Sequence, residues 1–89
     1  MSLLNIIIRN NQYEKLEDLC KQVDPSFTLT KIKFQIQAGV LELAESTTEP
    51  TKDLKGFLYL DSSINDFEKT EEVWVRVPEG TQACLVIKY

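Results

Sequence analysis

The chain contains no histidine and only two cysteines among its 89 residues. Without histidine it cannot form a Ser–His or Cys–His catalytic pair, and zinc or iron lacks its usual ligand cluster. The three glycines Gly39, Gly56 and Gly80 stand apart, so no glycine-rich phosphate loop is present. Glu71 and Glu72 are adjacent, so they would face opposite sides of a strand and are unsuited to joint acid–base catalysis. We therefore predict that the protein is not an enzyme and carries no cofactor.

Clustered positive charge is also missing. Ten basic residues stand against fourteen acidic ones, for a net charge of −4. Nucleic-acid binding normally needs a basic face that neutralises phosphates, so we expect no direct binding of nucleic acid. The apolar run at the start, Leu3–Ile8, is too short for a signal peptide or a membrane span. We expect no membrane association, two buried reduced thiols at Cys20 and Cys84, and a cytoplasmic location.

The apolar spacing near the start predicts one strand and one helix. Leu4 to Ile8 is rich in β-branched residues, as a short buried strand would be. Asn11 and Glu14 have the spacing of a helix-capping box, and Asp24-Pro25 supplies a stop. Apolar residues then recur at helical spacing at Tyr13, Leu16, Leu19, Cys20 and Val23. This is the only convincing helix in the sequence.

From Thr28 onward the apolar period changes from 3.6 to 2, which indicates strands. Ile32, Phe34 and Ile36 alternate with polar residues, and the parity shifts at Gly39. That glycine predicts either a tight hairpin turn or a bulge within one long strand.

The middle of the chain predicts a loop, a further strand and a turn. Residues 46–53 contain no apolar side chain, so residues 45–55 should form an exposed, mobile loop. Gly56 to Leu60 predicts the next strand, and Asp61 to Asp66 a turn.

The last seventeen residues carry the clearest local signal. Two alternating runs, 73–77 and 83–89, flank Pro78-Glu79-Gly80. Proline and glycine suit the corners of a tight turn, so this segment predicts a hairpin. The whole chain, 1–89, is then a single small α+β domain. We expect one amphipathic helix packed on a curved antiparallel sheet of four to six strands.

One segment partly matches a calcium-binding loop. Asp61, Ser63, Asn65 and Glu72 occupy the first, third, fifth and twelfth positions of that pattern. Asp66 stands where the pattern requires glycine, and the flanking residues predict strands rather than helices. We therefore expect a solvated acidic turn and no metal site.

Exposed aromatic residues offer the remaining candidate for a site. Within the 73–77 strand, Trp74 shares a face with Arg76, opposite three valines. Trp74 either packs under the 45–55 loop or lines a ligand groove beside Tyr59 or Phe57. In the second case Glu42, Glu71 or Glu72 could supply a countercharge for a flat cation.

The segment Val77-Pro78-Glu79-Gly80-Thr81-Gln82-Ala83 resembles the Ile-Pro-x-Gly-x-Tyr-Ala segment of the gyrase-inhibitor-like effector-binding domains. These domains form the drug-sensing half of MerR-type multidrug regulators of transcription. Gln82 replaces the tyrosine of that pattern, and the chain has the length of about one of the family's two modules.

The resemblance implies recognition of small cationic aromatic molecules by stacked aromatics and a buried carboxylate. It points to Tyr13 and Tyr59 as pocket aromatics, Glu42 as the carboxylate and a possible homodimer that rebuilds the double module. Together with Phe57 and Trp74, these residues form the predicted binding set. The alternative hypothesis is a protein-interaction or inhibitor module, of the kind found in phage and mobile elements, that acts through a sheet edge or a surface patch.

Overall fold

A computed structural model describes residues 2–89 and contains two antiparallel sheets of four strands each. The elements in chain order are β1 (Leu3–Ile8), β2 (Glu14–Lys15), α1 (Leu16–Lys21), β3 (Lys31–Ala38), β4 (Leu41–Glu45), β5 (Phe57–Tyr59), β6 (Ile64–Glu68), β7 (Val73–Arg76) and β8 (Ala83–Lys88). Sheet 1 has the order β1-β8-β3-β6, and sheet 2 has the order β2-β7-β4-β5. The α+β class and the antiparallel pairing are confirmed, but two sheets replace the predicted single one.

One apolar core fills the space between the sheets. The alternation in β3 buries Ile32, Phe34 and Ile36 and leaves the lysines between them exposed. Leu41 and Leu43 of β4 meet this layer from sheet 2. Burying each such side chain contributes about 1.5–3 kcal/mol. The second sheet therefore covers the apolar face that we expected a long helix to cover.

The predicted helix shrinks to the six residues of α1. Glu14 and Lys15 pair as strand β2 with Val75 and Trp74 of β7, so the helix begins only after them. Lys15 takes the N-cap position without a side-chain cap, in place of the predicted Asn11, and Val23 is 55% exposed. Tertiary pairing has overridden the local helical pattern. No helix within residues 2–89 has the length and apolarity needed to span a bilayer.

The predicted C-terminal hairpin is wrong in its pairing but right in its turn. Thr81 N donates to Pro78 O at 3.1 Å, and Gly80 has a φ of +77°. Strand β7 nevertheless pairs with β2 and β4, whereas β8 lies between β1 and β3 in the other sheet. The exposed 78–82 connection leads from sheet 2 to sheet 1, and the valines of β7 and the apolar residues of β8 belong to the same core cluster.

Gly39 marks a change of sheet rather than a hairpin or a simple bulge. The pairing of β3 with β8 shifts register between Ile36 and Ala38, and β4 then joins the other sheet. Gly39 has a φ of +91°, and a Cβ there would lie 2.2 Å from Gln82 O. Only glycine fits this corner without displacing the backbone.

Strand β6 lies where a turn was predicted. The turn is confined to residues 60–63, where Ser63 N donates to Leu60 O at 3.1 Å. Ile64 then begins β6, which pairs with β3 and places Phe67 opposite Ile32. The sequence of β6 shows no clear alternation of apolar and polar residues, because an edge strand exposes much of its surface and can contain polar residues on both faces.

The two cysteines differ in their surroundings, and neither forms a disulfide. Cys20 is fully buried on the inner face of α1, as predicted. Cys84 is only half-buried, on the outer face of sheet 1 between Ile7 and Ala38.

The two lateral sides of the sandwich differ in whether a helix covers their edge strands. Helix α1 packs against β1, β2 and β7, and so closes the side where β1 and β2 are the edge strands. Strands β5 and β6 border the opposite side, joined by the 60–63 turn. Within the described part of the chain, no helix covers that side.

Candidate functional site

The five predicted site residues fall in two separate places. Tyr13, Glu42 and Trp74 lie on the outer face of sheet 2, under the 46–56 loop. Phe57 and Tyr59 lie on the edge strand β5, at the open side of the sandwich. The structure therefore brings the set together as a buried cluster and an exposed edge, not as one pocket.

Glu42 and Arg76 form an ion pair that holds the loop in place. Arg76 Nε donates to Glu42 Oε1 at 2.7 Å, and Arg76 Nη2 donates to Glu42 Oε2 at 3.1 Å. The same guanidinium donates to the carbonyl oxygens of Lys52 and Leu54 at 2.7 and 2.8 Å. Forked contacts of this kind are among the strongest hydrogen bonds in proteins. The Arg76 side chain thus joins sheet 2 to the loop at residues 52 and 54.

Tyr13 completes this group. Its hydroxyl lies 3.1 Å from Glu42 Oε2 and 2.9 Å from Leu54 O, and the Arg76 guanidinium lies 4.1 Å from its ring centre. Gly56 N also donates to Glu42 Oε2, at 2.7 Å. We call Tyr13, Glu42 and Arg76 the loop clamp.

The charges in the loop clamp are matched within the chain. Hydrogen bonding from Arg76 lowers the pKa of Glu42 below its usual value. Burial, followed by the hydrogen bond to Glu42, raises the pKa of Tyr13. Both carboxylate oxygens of Glu42 already have partners, so the clamp acts first as a structural support for the loop.

Trp74 adopts the first of its two predicted arrangements, packed under the loop. It forms a small second core with Tyr13 and Ala44, and its Nε1 donates to Ser46 O at 3.0 Å. Lys15 Nζ lies 5.6 Å from the ring centre on the outer side. The loop is exposed at most of its residues, as predicted, but it is anchored to the sheet at Ser46 and again at Lys52, Leu54 and Gly56. Trp74 beneath it is buried.

The open side of the sandwich exposes large apolar side chains. Phe57, Leu58, Leu60 and Ile64 are 77%, 62%, 60% and 65% exposed. We call these four residues the apolar corner. Tyr59, between them, is half-buried because its ring packs edge-on against Phe34 at 5.2 Å. Large exposed apolar side chains this close together in the sequence, at the edge of a sheet, indicate a candidate interaction site.

A groove of about 330 Å³ runs between the two edge strands at this corner. Phe57 and Tyr59 line it from β5, Phe67 from β6 and Leu54 from the loop. Glu45 lies at its rim. We call this space the seam groove.

Two titratable groups in the seam groove have shifted pKa values. Burial, then the charge of Glu45, raises the pKa of Tyr59. Burial alone would raise the pKa of Glu45, but hydrogen bonds from Thr70 and the Glu71 amide outweigh it and lower that pKa. Thr70 Oγ1 donates to Glu45 Oε2 at 2.7 Å. Glu45 thus stays ionised at the rim of the groove.

Sequence reasoning missed Leu60, Ile64 and Phe67 as parts of the surface. The available signal was the run Phe57–Leu60, which is apolar on both faces of a strand and contains no charge. Within residues 2–89, no three Cys, Asp or Glu side chains are grouped as metal ligands. Comparisons with protein-family models, curated proteins and solved structures find no match, so the resemblance to effector-binding domains stays a prediction.

Proposed function

We propose that the protein is a protein-interaction domain that binds an extended segment of a partner along β5. The observation that carries this proposal is the apolar corner beside an edge strand that pairs on one side only, with β4. Adding a strand to an exposed sheet edge is a common mode of peptide recognition, in which backbone hydrogen bonds supply affinity and side-chain pockets supply specificity.

Comparison of the four edge strands favours β5. Helix α1 packs against β1 and β2 on their side of the sandwich. Strand β6 exposes Asp66 and Glu68, charges of the kind that discourage edge pairing. Residues 56–60 contain no charge at all. The β5 edge therefore lacks the usual protection against another strand, which is expected where such a strand is the ligand.

The loop clamp supports this function by holding the residue that leads into β5. Gly56 N is bonded to Glu42, and Leu54 O accepts from Arg76. These contacts fix the chain immediately before Phe57, so the edge is ordered before a partner arrives. A preorganised edge reduces the ordering cost of binding.

The test is a selection of random peptides on the immobilised chain, repeated on the Leu58→Lys variant. We expect enriched peptides that alternate apolar and polar residues, lack proline and lose at least tenfold in affinity on Leu58→Lys. A Leu3→Lys variant is the matched control, because Leu3 is 68% exposed on the edge strand β1. Peptides that bind all three proteins equally, or no enrichment at all, would overturn the proposal.

A second candidate function is the binding of a small cationic aromatic molecule in the seam groove. It is favoured by the three aromatic side chains around about 330 Å³ of space and by the Glu45 carboxylate, although Lys55 also lines the groove and weakens the attraction for a cation. This volume is at the lower end of the range for ligand pockets, about 300–1,000 Å³.

A titration with a flat cationic dye, followed by amide chemical shifts, tests the second function. Shifts at Phe57, Tyr59 and Phe67 that weaken on Phe57→Ala but not on Leu60→Ala would support it. Absence of shifts at millimolar dye would exclude it for this chain.

A further inference from the structure

The outer face of sheet 1 brings three lysines together beside the end of β8. Lys33 of β3 lies directly opposite Lys88 of β8, and both side chains are exposed on that face. Lys31 is the next outward-facing residue along β3. Like charges directly opposite each other destabilise a pair of strands, so this arrangement has an electrostatic cost. We call Lys31, Lys33 and Lys88 the lysine cluster.

Lys88 has no acidic residue among its neighbours on the adjacent strands. Its partner on β1 is Leu3, and its diagonal neighbours include Asn5 on β1 and Gln35 on β3. Within residues 2–89, no carboxylate forms an ion pair with Lys88 or with Lys31. The described part of the chain therefore leaves the charge of Lys88 without a counterion.

The acids that face the lysine cluster lie on the edge strand β6, on the far side of β3 from β8. Asp66 pairs with Lys33, but the charged atoms are 3.9 Å apart and the Asp66 side chain is 77% exposed. Glu68 lies opposite Lys31 and is exposed, without an ion pair to it. Exposed charge pairs of this kind contribute little energy. An excess of positive charge therefore remains on this face.

A pocket of about 380 Å³ lies against the lysine cluster. Ile32, Asp66 and Tyr89 line it together with the three lysines. The Tyr89 ring is held in place, because it packs edge-on against Phe27 at 4.8 Å and its hydroxyl donates to Asp24. Lysine stems are apolar, so they extend the apolar wall that this ring provides. We call this space the lysine pocket.

We propose that the lysine pocket binds a phosphate monoester attached to a flat apolar group, as in an aryl phosphate. A phosphate monoester carries a charge of about −1.5 to −2 at pH 7 and three strong acceptor oxygens, which suits several ammonium donors better than a single carboxylate does. The Tyr89 ring and the lysine stems provide a surface for the flat group. The inference is independent of the proposed function, because this pocket shares no residue with the apolar corner or the seam groove.

The test is an NMR titration of the labelled chain with phenyl phosphate at about 50 mM NaCl. We expect saturable amide shifts at the lysine cluster and Tyr89, with a dissociation constant on the order of 1 mM. Inorganic phosphate, which lacks the ring, and benzoate, which has a single charge, should each bind roughly threefold more weakly or worse. Because exposed charges are screened by salt, about 0.5 M NaCl should weaken the binding of phenyl phosphate roughly fivefold.

A lysine variant and a matched control test the site. Lys88→Gln should weaken the binding of phenyl phosphate about fivefold, since it removes the lysine without a counterion. Lys55→Gln is the control, because Lys55 is also exposed and has no ion pair within residues 2–89, but it lies outside the lysine pocket. Saturating phenyl phosphate should also raise the urea midpoint of the wild type and have less effect on Lys88→Gln. The amide spectrum of each variant checks its fold.

Several outcomes would overturn this proposal and leave the proposed function standing. These are no shifts at about 10 mM phenyl phosphate, equal losses in Lys88→Gln and Lys55→Gln, or inorganic phosphate that binds as well as phenyl phosphate. Shifts confined to the seam groove would also contradict it.

A short peptide that contains phosphotyrosine separates two sources of the same chemistry. Tighter binding of this peptide than of phenyl phosphate indicates a modified side chain of a partner protein. Equal or weaker binding of the peptide indicates a free small molecule. Either result supports the lysine pocket as an aryl phosphate site.

Discussion

Removing the Arg76 side chain should release the 46–56 loop and destabilise the fold. In Arg76→Met, Glu42 loses two hydrogen bonds and its countercharge. The loss matters because the Glu42 side chain is only 15% exposed, so water cannot fully replace these partners. Breaking a buried ion pair costs about 3–5 kcal/mol, and the partial exposure here places the loss near about 3 kcal/mol. A domain of this size has only about 5–10 kcal/mol of stability in total. The loss would therefore be easily measured.

Glu42→Gln should cost less, about 1–2 kcal/mol, because the amide keeps the shape and can still accept from Gly56 N. The double variant should be more stable than the sum of the two losses predicts, by at least about 1 kcal/mol. Urea unfolding followed by fluorescence provides the assay, since Trp74 is the only tryptophan and lies under the loop. For Arg76→Met the midpoint should fall by roughly 2 M. Strictly additive losses, or an unchanged midpoint, would refute the loop clamp.

Three further predictions concern acid, backbone and thiol chemistry. The pKa of Glu42 in the folded protein lies below its usual value of 4.5, so the stability that the clamp contributes is complete above pH 4.5 and is lost as the pH falls through the lowered pKa. Trp74 emission should therefore shift to the red below about pH 4.5. The Glu42→Gln variant should show a flatter transition. Gly39→Ala should cost at least about 2 kcal/mol in urea unfolding, and Gly80→Ala about 1 kcal/mol, because both glycines have positive φ but only Gly39 has backbone in the way; equal losses would contradict the steric argument. Iodoacetamide at pH 8 should modify Cys84 and spare Cys20, whose pKa burial raises to about 12, and equal labelling rates by mass spectrometry would count against the burial of Cys20.

Local patterns predicted most of the strands but not their pairing. The apolar runs at 4–8, 32–36 and 56–60 correspond to β1, β3 and β5, and the alternation within 32–36 also reports directly which face of β3 is buried. Pro78 and Gly80 likewise define a real turn. Which sheet each flanking strand joins depends on distant partners such as β1 for β8, and a turn motif contains no information about them.

The helix was predicted too long for a related reason. Its N-terminal residues Glu14 and Lys15 pair with β7, some sixty residues later in the chain. A strand pairing over that distance overrides a capping pattern, which is worth only about 1 kcal/mol. Tyr13 consequently faces the loop instead of the core.

For the predicted site residues, too, the sequence indicated the residue types but not their long-range partners. Tyr13, Glu42 and Trp74 were singled out as side chains able to hold an aromatic cation, and in the structure the Arg76 guanidinium lies over the Tyr13 ring and pairs with Glu42. The chemistry of these residues was visible in the sequence, but their internal partner was not. Phe57 was selected as an aromatic wall, and its neighbours Leu58 and Leu60 place it on an exposed edge.

The central claim is that a partner strand pairs with the β5 backbone, and amide hydrogen exchange tests it most directly. The free protein is compared with the same protein saturated with a selected peptide, and exchange is read residue by residue by NMR. Backbone pairing predicts that protection rises at 57–60, with no comparable change along β1. Protection that rises elsewhere, or peptide binding that leaves the β5 amides exchanging as before, would contradict the account.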